Sequence, residues 1–272
     1  MMSIEEFVSR DFDGIALKPT EINLNQVSVG KVETVVVDYE GREHVPDSTL
    51  LKRFAGETTV RVTTPIRADG FDPFGDNRVT EQLPQSVDRV IVAGNPAYLT
   101  DDERRRAIGP RLGAAREDAP TAWVGTEGVE RLALAAGGTQ FELLAPTTAR
   151  EVRALRAAGL EGSIAVYAPV VATDDEQILL NTLGEYVARR GSVATALENA
   201  HPESPPRTTA TDGVATDATA SGQVRSILLD AIEEFALVGR PEQVDERISD
   251  LRAVGVDTVI GYPARGAGWL WH

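Results

Sequence analysis

Short apolar runs recur along the chain, most of them unbroken, with polar stretches of helical period between them. Eight stand out: GIALKP (14–19), TVVVDY (34–39), TVRVTTP (59–65), DRVIVAG (88–94), TAWVG (121–125), QFELLAP (140–146), SIAVYAPVV (163–171) and DTVIGYP (257–263). Alternation of apolar and polar residues marks a strand with one wet face. A run that is apolar at nearly every position marks a strand buried on both faces, as in a parallel sheet covered by helices.

The stretches between the runs predict the helices. TTAREVRALRAAG (147–159) opens on threonine, places Val152 and Leu155 on one face and stops at Gly159. PEQVDERISDLRAVG (241–255) has Pro241 in its first turn, an apolar stripe of Val244, Ile248 and Leu251, and a stop at Gly255. The two units echo each other, LRAAG…SIAVY against LRAVG…TVIGY. Further helices are predicted over 128–138, near 174–190, over 223–236, and over 100–115, the last weakened by Gly109-Pro110.

Repeated helix–glycine–strand units are the building rule of α/β folds. Eight strands predict a single (β/α)8 barrel domain over residues 1–272, its last unit closing against its first. An open doubly wound sheet is the competing architecture, but no GxGxxG follows the first strand. Residues 65–84 show no helical period and predict a long loop in an irregular N-terminal half. Residues 201–222 are low in complexity, rich in Thr and Ala, and predict a mobile loop inserted between the seventh and eighth strands.

Composition narrows the function. The chain has 272 residues and no cysteine, which excludes disulfides, thiolate catalysis and cysteine-ligated metals. Its net charge is −15, and only Lys18, Lys31 and Lys52 among its 27 cations are lysines. An acidic, lysine-poor surface stays hydrated when salt screens charge, which points to the cytoplasm of a salt-accumulating organism. Nucleic acid is not an expected partner, because phosphate binding requires a basic face. No apolar run reaches membrane-spanning length and no secretory leader is recognisable, so a soluble, unexported protein is expected.

In a barrel the chemistry gathers at the C-terminal ends of the strands. The second strand ends in Asp38-Tyr39-Glu40, where an acid and a phenol could position or protonate a substrate, or simply begin a polar loop. The third ends in Thr63-Thr64-Pro65 and the fourth in Gly94-Asn95-Pro96, small and polar residues that suit a pocket or a turn. The fifth ends in Gly125-Thr126-Glu127-Gly128 before a helix, either a phosphate cradle or a tight turn with Thr126 as N-cap. His44, His201 and His272 have no metal-ligand spacing, and GxSxG, P-loop and HExxH motifs are absent. Trp269 and Trp271 follow the last strand and are expected to pack on the body or on a neighbouring copy, as in a homodimer.

Three segments carry a resemblance. APTAWVGTEGVERLALAAGG (119–138) resembles a strand–helix unit of the luciferase-like monooxygenase superfamily, the flavin- and deazaflavin-dependent (β/α)8 barrels. SIAVYAPVVATDDEQILLNTLGEYVARR (163–190) is similar to that family's seventh strand and the helix after it, and ALVGRPEQVDERISDLRAVGVDTVIGYP (236–263) to its closing unit. The resemblance implies an oxidoreductase acting on a small organic substrate with FMN or the deazaflavin coenzyme. It implies that Gly125, Thr126 and Gly128 hold the phosphate, that a strained peptide at Thr63-Thr64 props the ring system, and that Gly94 lies near the ring. Where many deazaflavin members carry Asp-His after the second strand, this chain has Asp38-Tyr39 as its candidate catalytic pair. The departure at Tyr39, the eroded N-terminal half and Glu127 in the cradle leave an alternative: a non-catalytic barrel that binds a ligand or a protein partner.

Overall fold

The computed structural model describes residues 12–29, 32–66, 80–93, 108–126, 134–200 and 215–264. Among them the apolar runs form parallel strands: β1 (Gly14–Leu17), β2 (Thr34–Val37), β3 (Thr59–Pro65), β4 (Asp88–Ala93), β5 (Trp123–Thr126), β6 (Gln140–Leu143), β7 (Ile164–Val171), β8 (Leu237–Val238) and β9 (Thr258–Pro263). Eight of them close a ring. β1 to β7 follow in order, β7 pairs with β9, and β9 returns to β1 with Ile260 opposite Gly14. The short β8 stands outside the ring, beside the C-terminal end of β7, with Leu237 opposite Val170. The expected (β/α)8 barrel is therefore the observed one, and β9 is its eighth strand.

The described helices are α1 (Ser48–Ala55), α2 (Ile108–Asp118), α3 (Thr148–Ala157), α4 (Glu176–Ala188), α5 (Gly191–Ala200), α6 (Gly222–Phe235) and α7 (Pro241–Ala253). Between β1 and β2 the described residues hold only a three-residue 3-10 turn, Leu24–Gln26, in keeping with an irregular N-terminal half. Gly109-Pro110 lies at the start of the described part of α2; the residues before 108 to which the predicted helix over 100–115 extends lie outside the described residues. The insertion between the seventh and eighth ring strands holds α4, α5, α6, β8 and α7. Within the segment expected to be mobile, residues 201–214 lie outside the described residues, but 215–221 are seated on α4. The Ala218 amide donates to Asn181 Oδ1 at 3.0 Å. A side chain at Gly184 would come within 1.8 Å of the Thr216 carbonyl, so the chain can lie there only because α4 presents a bare backbone. Among the described residues no helix is long and apolar enough to cross a membrane.

Alternate residues of each strand face opposite sides of the wall. The outer set, including Ile15, Leu17, Val35, Val37, Val60, Val62, Ile164, Val166 and Val259, packs under Leu51 and Phe54 of α1, Val152 of α3 and Val244, Ile248 and Leu251 of α7. The inner set, including Ala16, Val36, Val90, Trp123, Phe141, Tyr167, Ile260 and Tyr262, fills the lumen and is continuous with the apolar faces of α4, α5 and α6.

The sequence echo LRAAG/LRAVG is a repeated clamp at the N-terminal end of the barrel. Both helix–strand connections turn on a glycine with positive φ, +85° at Gly159 and +110° at Gly255. Arg156 donates to the carbonyls of Gly255 (2.8 Å), Leu160 (2.9 Å) and Gly162 (2.8 Å), and pairs with Asp257. Asp257 in turn accepts from the first amide of β7, Ile164, at 2.7 Å. One unit later Arg252 reaches both oxygens of Asp13 at 3.0 Å, and Asp13 accepts from the Val259 amide of β9 at 2.6 Å. The second clamp joins the last strand to the first.

Replacing Arg156 with Met removes the donors of three backbone carbonyls and is expected to cost about 2–3 kcal/mol of stability. Replacing Arg150, an exposed arginine that among the described residues pairs with its neighbour Glu151, is expected to cost less than about 0.5 kcal/mol. Denaturant midpoints at fixed salt measure both. Equal midpoints would remove the clamp from this account.

Candidate active site

The inward positions of the strands decide what reaches the barrel mouth. Two residues beyond an inward position, the next side chain on the same face stands at or above the rim. Ala16 is inward on β1, so Lys18 follows it; Val36 on β2 is followed by Asp38; Ala165 on β7 by Tyr167; and Ile260 on β9 by Tyr262.

These residues stand on a column of rings. At its foot the Arg61 guanidinium lies 4.3 Å over the Trp123 ring, 3.4 Å from Asp88, and donates to the Thr121 carbonyl. Trp123 and Phe141 have ring centroids 5.8 Å apart, and Phe141 meets Tyr167 edge-on at 5.9 Å. Tyr167 stacks on Tyr262 at 5.9 Å with an interplanar angle of 21°. The Lys18 ammonium lies over the Tyr262 ring at 4.2 Å. Quadrupole attraction and apolar burial favour each of these contacts.

Asp38 is held from three sides. Its amide donates to the Leu17 carbonyl on β1 at 2.9 Å. The next amide, of Tyr39, donates to Thr63 Oγ1 on β3 at 2.6 Å. Its carboxylate Oδ2 accepts from the Tyr167 hydroxyl at 2.9 Å. Asp38 keeps partial contact with solvent, yet the loss of hydration around it raises its pKa from the ordinary 3.8 to about 6. Lys18 and the Tyr167 hydrogen bond pull the other way, and Glu40 and Glu21 add to the rise. Burial, then the Asp38 charge, push the Tyr167 hydroxyl well above its usual range. Tyr167 therefore stays a neutral donor.

The structure brings some of the expected residues together and separates others. Asp38 is at the centre. Tyr39 contributes its amide, while the phenol that reaches Asp38 comes from Tyr167, 129 residues away. Thr63 is on the lumen face beside them. Thr64 faces outward, its hydroxyl accepting from Arg89 Nε at 3.1 Å; Arg89 also reaches Asp118 of α2. The Thr63-Thr64 peptide continues regular pairing with β4. Gly125 lies on the lumen face of β5. A Cβ there would stand 3.2 Å from both the ring and the carbonyl of Phe141, so a larger residue would fit only if Phe141 gave way by a few tenths of an ångström. Thr126 closes β5 opposite Ala93. Gly94, Glu127 and Gly128 lie outside the described residues, as do His201, His272, Trp269 and Trp271.

Sequence reasoning passed over Tyr167, Lys18, Glu21 and Tyr262. Tyr167 carried a signal: a phenol inside an otherwise aliphatic buried strand must find a partner for its hydroxyl. So did Lys18, one of three lysines and the residue that follows β1.

A carboxyl with a raised pKa stabilises the fold while protonated, below the unfolded value near 4, and that contribution is lost as pH rises through about 6. Asp38→Asn keeps an acceptor for Tyr167 and removes the ionisation. It is expected to match the parent at pH 4 and to be about 1–3 kcal/mol more stable at pH 7, read from unfolding midpoints at both pH values.

Among solved structures, the monooxygenase RslO1 from Streptomyces bottropensis is similar, with a TM-score of 0.48 and 19% identity over 92% of this chain and 91% of that one. None of the curated proteins matches the chain. A family model covers residues 7–270, and the chain belongs to that family, the family of unknown function DUF7388.

Proposed function

We propose that this barrel is a luciferase-like oxidoreductase that acts on a small organic substrate at its C-terminal mouth, with Asp38 as the group that takes and returns a proton. The observation that carries this reading is the carboxyl of Asp38, set at the rim, held by Tyr167 at 2.9 Å and titrating near 6. At neutral pH it is mostly a carboxylate and can accept a proton. Its conjugate acid is strong enough to give the proton back, the balance that general acid–base work needs. Tyr167 orients the carboxylate and, by donating to it, keeps it from titrating still higher.

The resemblance adds FMN or a deazaflavin as the source of hydride or electron chemistry. The described residues fit the proton-handling half of such a site. Of the cradle Gly125-Thr126-Gly128 they include only Gly125 and Thr126, and Gly125 also packs closely against Phe141. Cofactor binding through Gly125, Thr126, Gly128, Gly94 and Thr63 is thus part of the proposal, tested separately from Asp38. The acidic, lysine-poor composition supports a cytoplasmic setting in a salt-accumulating cell.

The packed lumen favours a second reading, a barrel that binds without turnover. The void beside Lys18 and Tyr262 measures only about 10 Å³.

Fluorescence titration in molar salt is expected to show binding of FMN or the deazaflavin at tens of micromolar. Absence of both removes the cofactor, and with it the oxidoreductase. With a turned-over substrate, kcat/KM is expected to rise through about pH 6 as Asp38 ionises. Asp38→Asn lowers kcat by about 10²–10⁴-fold. Tyr167→Phe removes the donor that favours the carboxylate, so the rising limb moves to higher pH; an unmoved limb assigns it to another group. Turnover undiminished in Asp38→Asn assigns the base to a different group.

A further inference from the structure

We propose that Lys18 is the anion-binding residue of this mouth, its ammonium taking a carboxylate of the ligand, so that the molecules received beside Asp38 are small organic acids. Turnover of such acids rests on the reading of Asp38 given above; their binding does not.

Among the described cations Arg61, Arg89, Arg156, Arg225 and Arg252 pair with carboxylates, while Arg53 and Arg116 spend their donors on backbone carbonyls. Lys18 forms no ion pair among the described residues, and its contact is the face of Tyr262. The carboxylates of the mouth are engaged elsewhere. Glu21 Oε2 accepts from the Tyr262 hydroxyl at 2.5 Å. Glu40 Oε2 accepts from the Thr20 amide at 2.8 Å and its hydroxyl at 2.7 Å. Asp38 Oδ2 accepts from Tyr167. The ammonium is left with unused donors.

Its position is nonetheless held. The Lys18 carbonyl accepts from the amides of Glu21 and Ile22 at 3.0 and 3.1 Å, which fixes the backbone after β1. The Tyr262 ring holds the ammonium, and Glu21 and Tyr167 hold that ring from its hydroxyl and its face. Tyr262 and Glu21 are therefore positioning residues for Lys18. The void of about 10 Å³ between Ala16, Leu17, Ile22, Tyr262 and Pro263 is at the limit for one water, so a carboxylate must come from the mouth and not from beneath. Lys18 is also close enough to Asp38 to favour its ionised form. A ligand whose carboxylate neutralises the lysine presents the rest of its skeleton to the Asp38 carboxyl. Over a surface of net charge −15 organic anions are repelled; an unpaired ammonium at the rim selects where they can bind.

The test is calorimetric titration of the full chain, at constant salt, with matched probes: lactate against propylene glycol, and pyruvate against hydroxyacetone. Wild type is expected to bind each acid at least about tenfold tighter than its neutral partner. Lys18→Gln is expected to lose that preference while its affinity for the neutral probes stays within about twofold, and Lys18→Arg to retain it; circular dichroism confirms that each variant is folded. Wild-type binding without a preference, no binding of any probe, or a preference that survives in Lys18→Gln overturns the assignment. Lys18-dependent acid binding with no turnover leaves the assignment standing and removes the oxidoreductase. Turnover of neutral substrates without acid preference does the reverse.

Discussion

Closure of β9 onto β1 is the constraint from which the rest of this structure follows. A parallel sheet left open would expose two rows of unpaired amides and carbonyls, and a ring removes both edges. The two backbone pairs between Gly14-Ile15 and Ile260-Gly261 make the join. Asp13 secures it, accepting at once from Arg252 at the end of α7 and from the Val259 amide. Arg156 and Asp257 do the same work one unit earlier, where β7 meets β9. The end of the barrel opposite the candidate site thus carries its structural polar contacts, a division of labour common to this architecture.

Once closed, the ring has a lumen that must be filled. The inner positions do this with aromatic rings rather than with aliphatic layers alone. The choice has an electrostatic consequence. A floor of rings lies beneath Asp38 and, among the described residues, the Tyr167 hydroxyl is its side-chain donor. Desolvation therefore outweighs hydrogen bonding, and the carboxyl titrates near 6. The same floor offers Lys18 a ring face in place of a carboxylate. The acid–base and anion-binding roles proposed for the mouth both depend on how the lumen is packed.

Much of the architecture was legible along the chain. Unbroken apolar runs told of strands buried on both faces, and glycine stops after amphipathic stretches told of the helices that feed them. The LRAAG/LRAVG echo was visible as a repeat, and its meaning as a repeated arginine–aspartate clamp emerged only when Asp257 and Asp13 were seen beside it. Asp38 was legible because an acid that ends a barrel strand has to stand at the rim. Its donor Tyr167 was not legible, because only the curvature of the ring brings β7 within reach of β2.

The sequence by itself determined which segments are strands, which face of each helix is apolar, and that Asp38 stands at the end of its strand. Those properties are local, set by periodicity, capping and the conformational reach of glycine and proline. Tertiary structure decided that Tyr167 donates to Asp38, that Thr64 faces outward while Thr63 faces in, that Gly125 makes room for Phe141, and that Lys18 lies over Tyr262 with its donors unused. Each of these depends on the register between strands far apart in the chain. A shift of one residue would turn every inward side chain outward, and no local pattern encodes the sum of those registers around a closed ring.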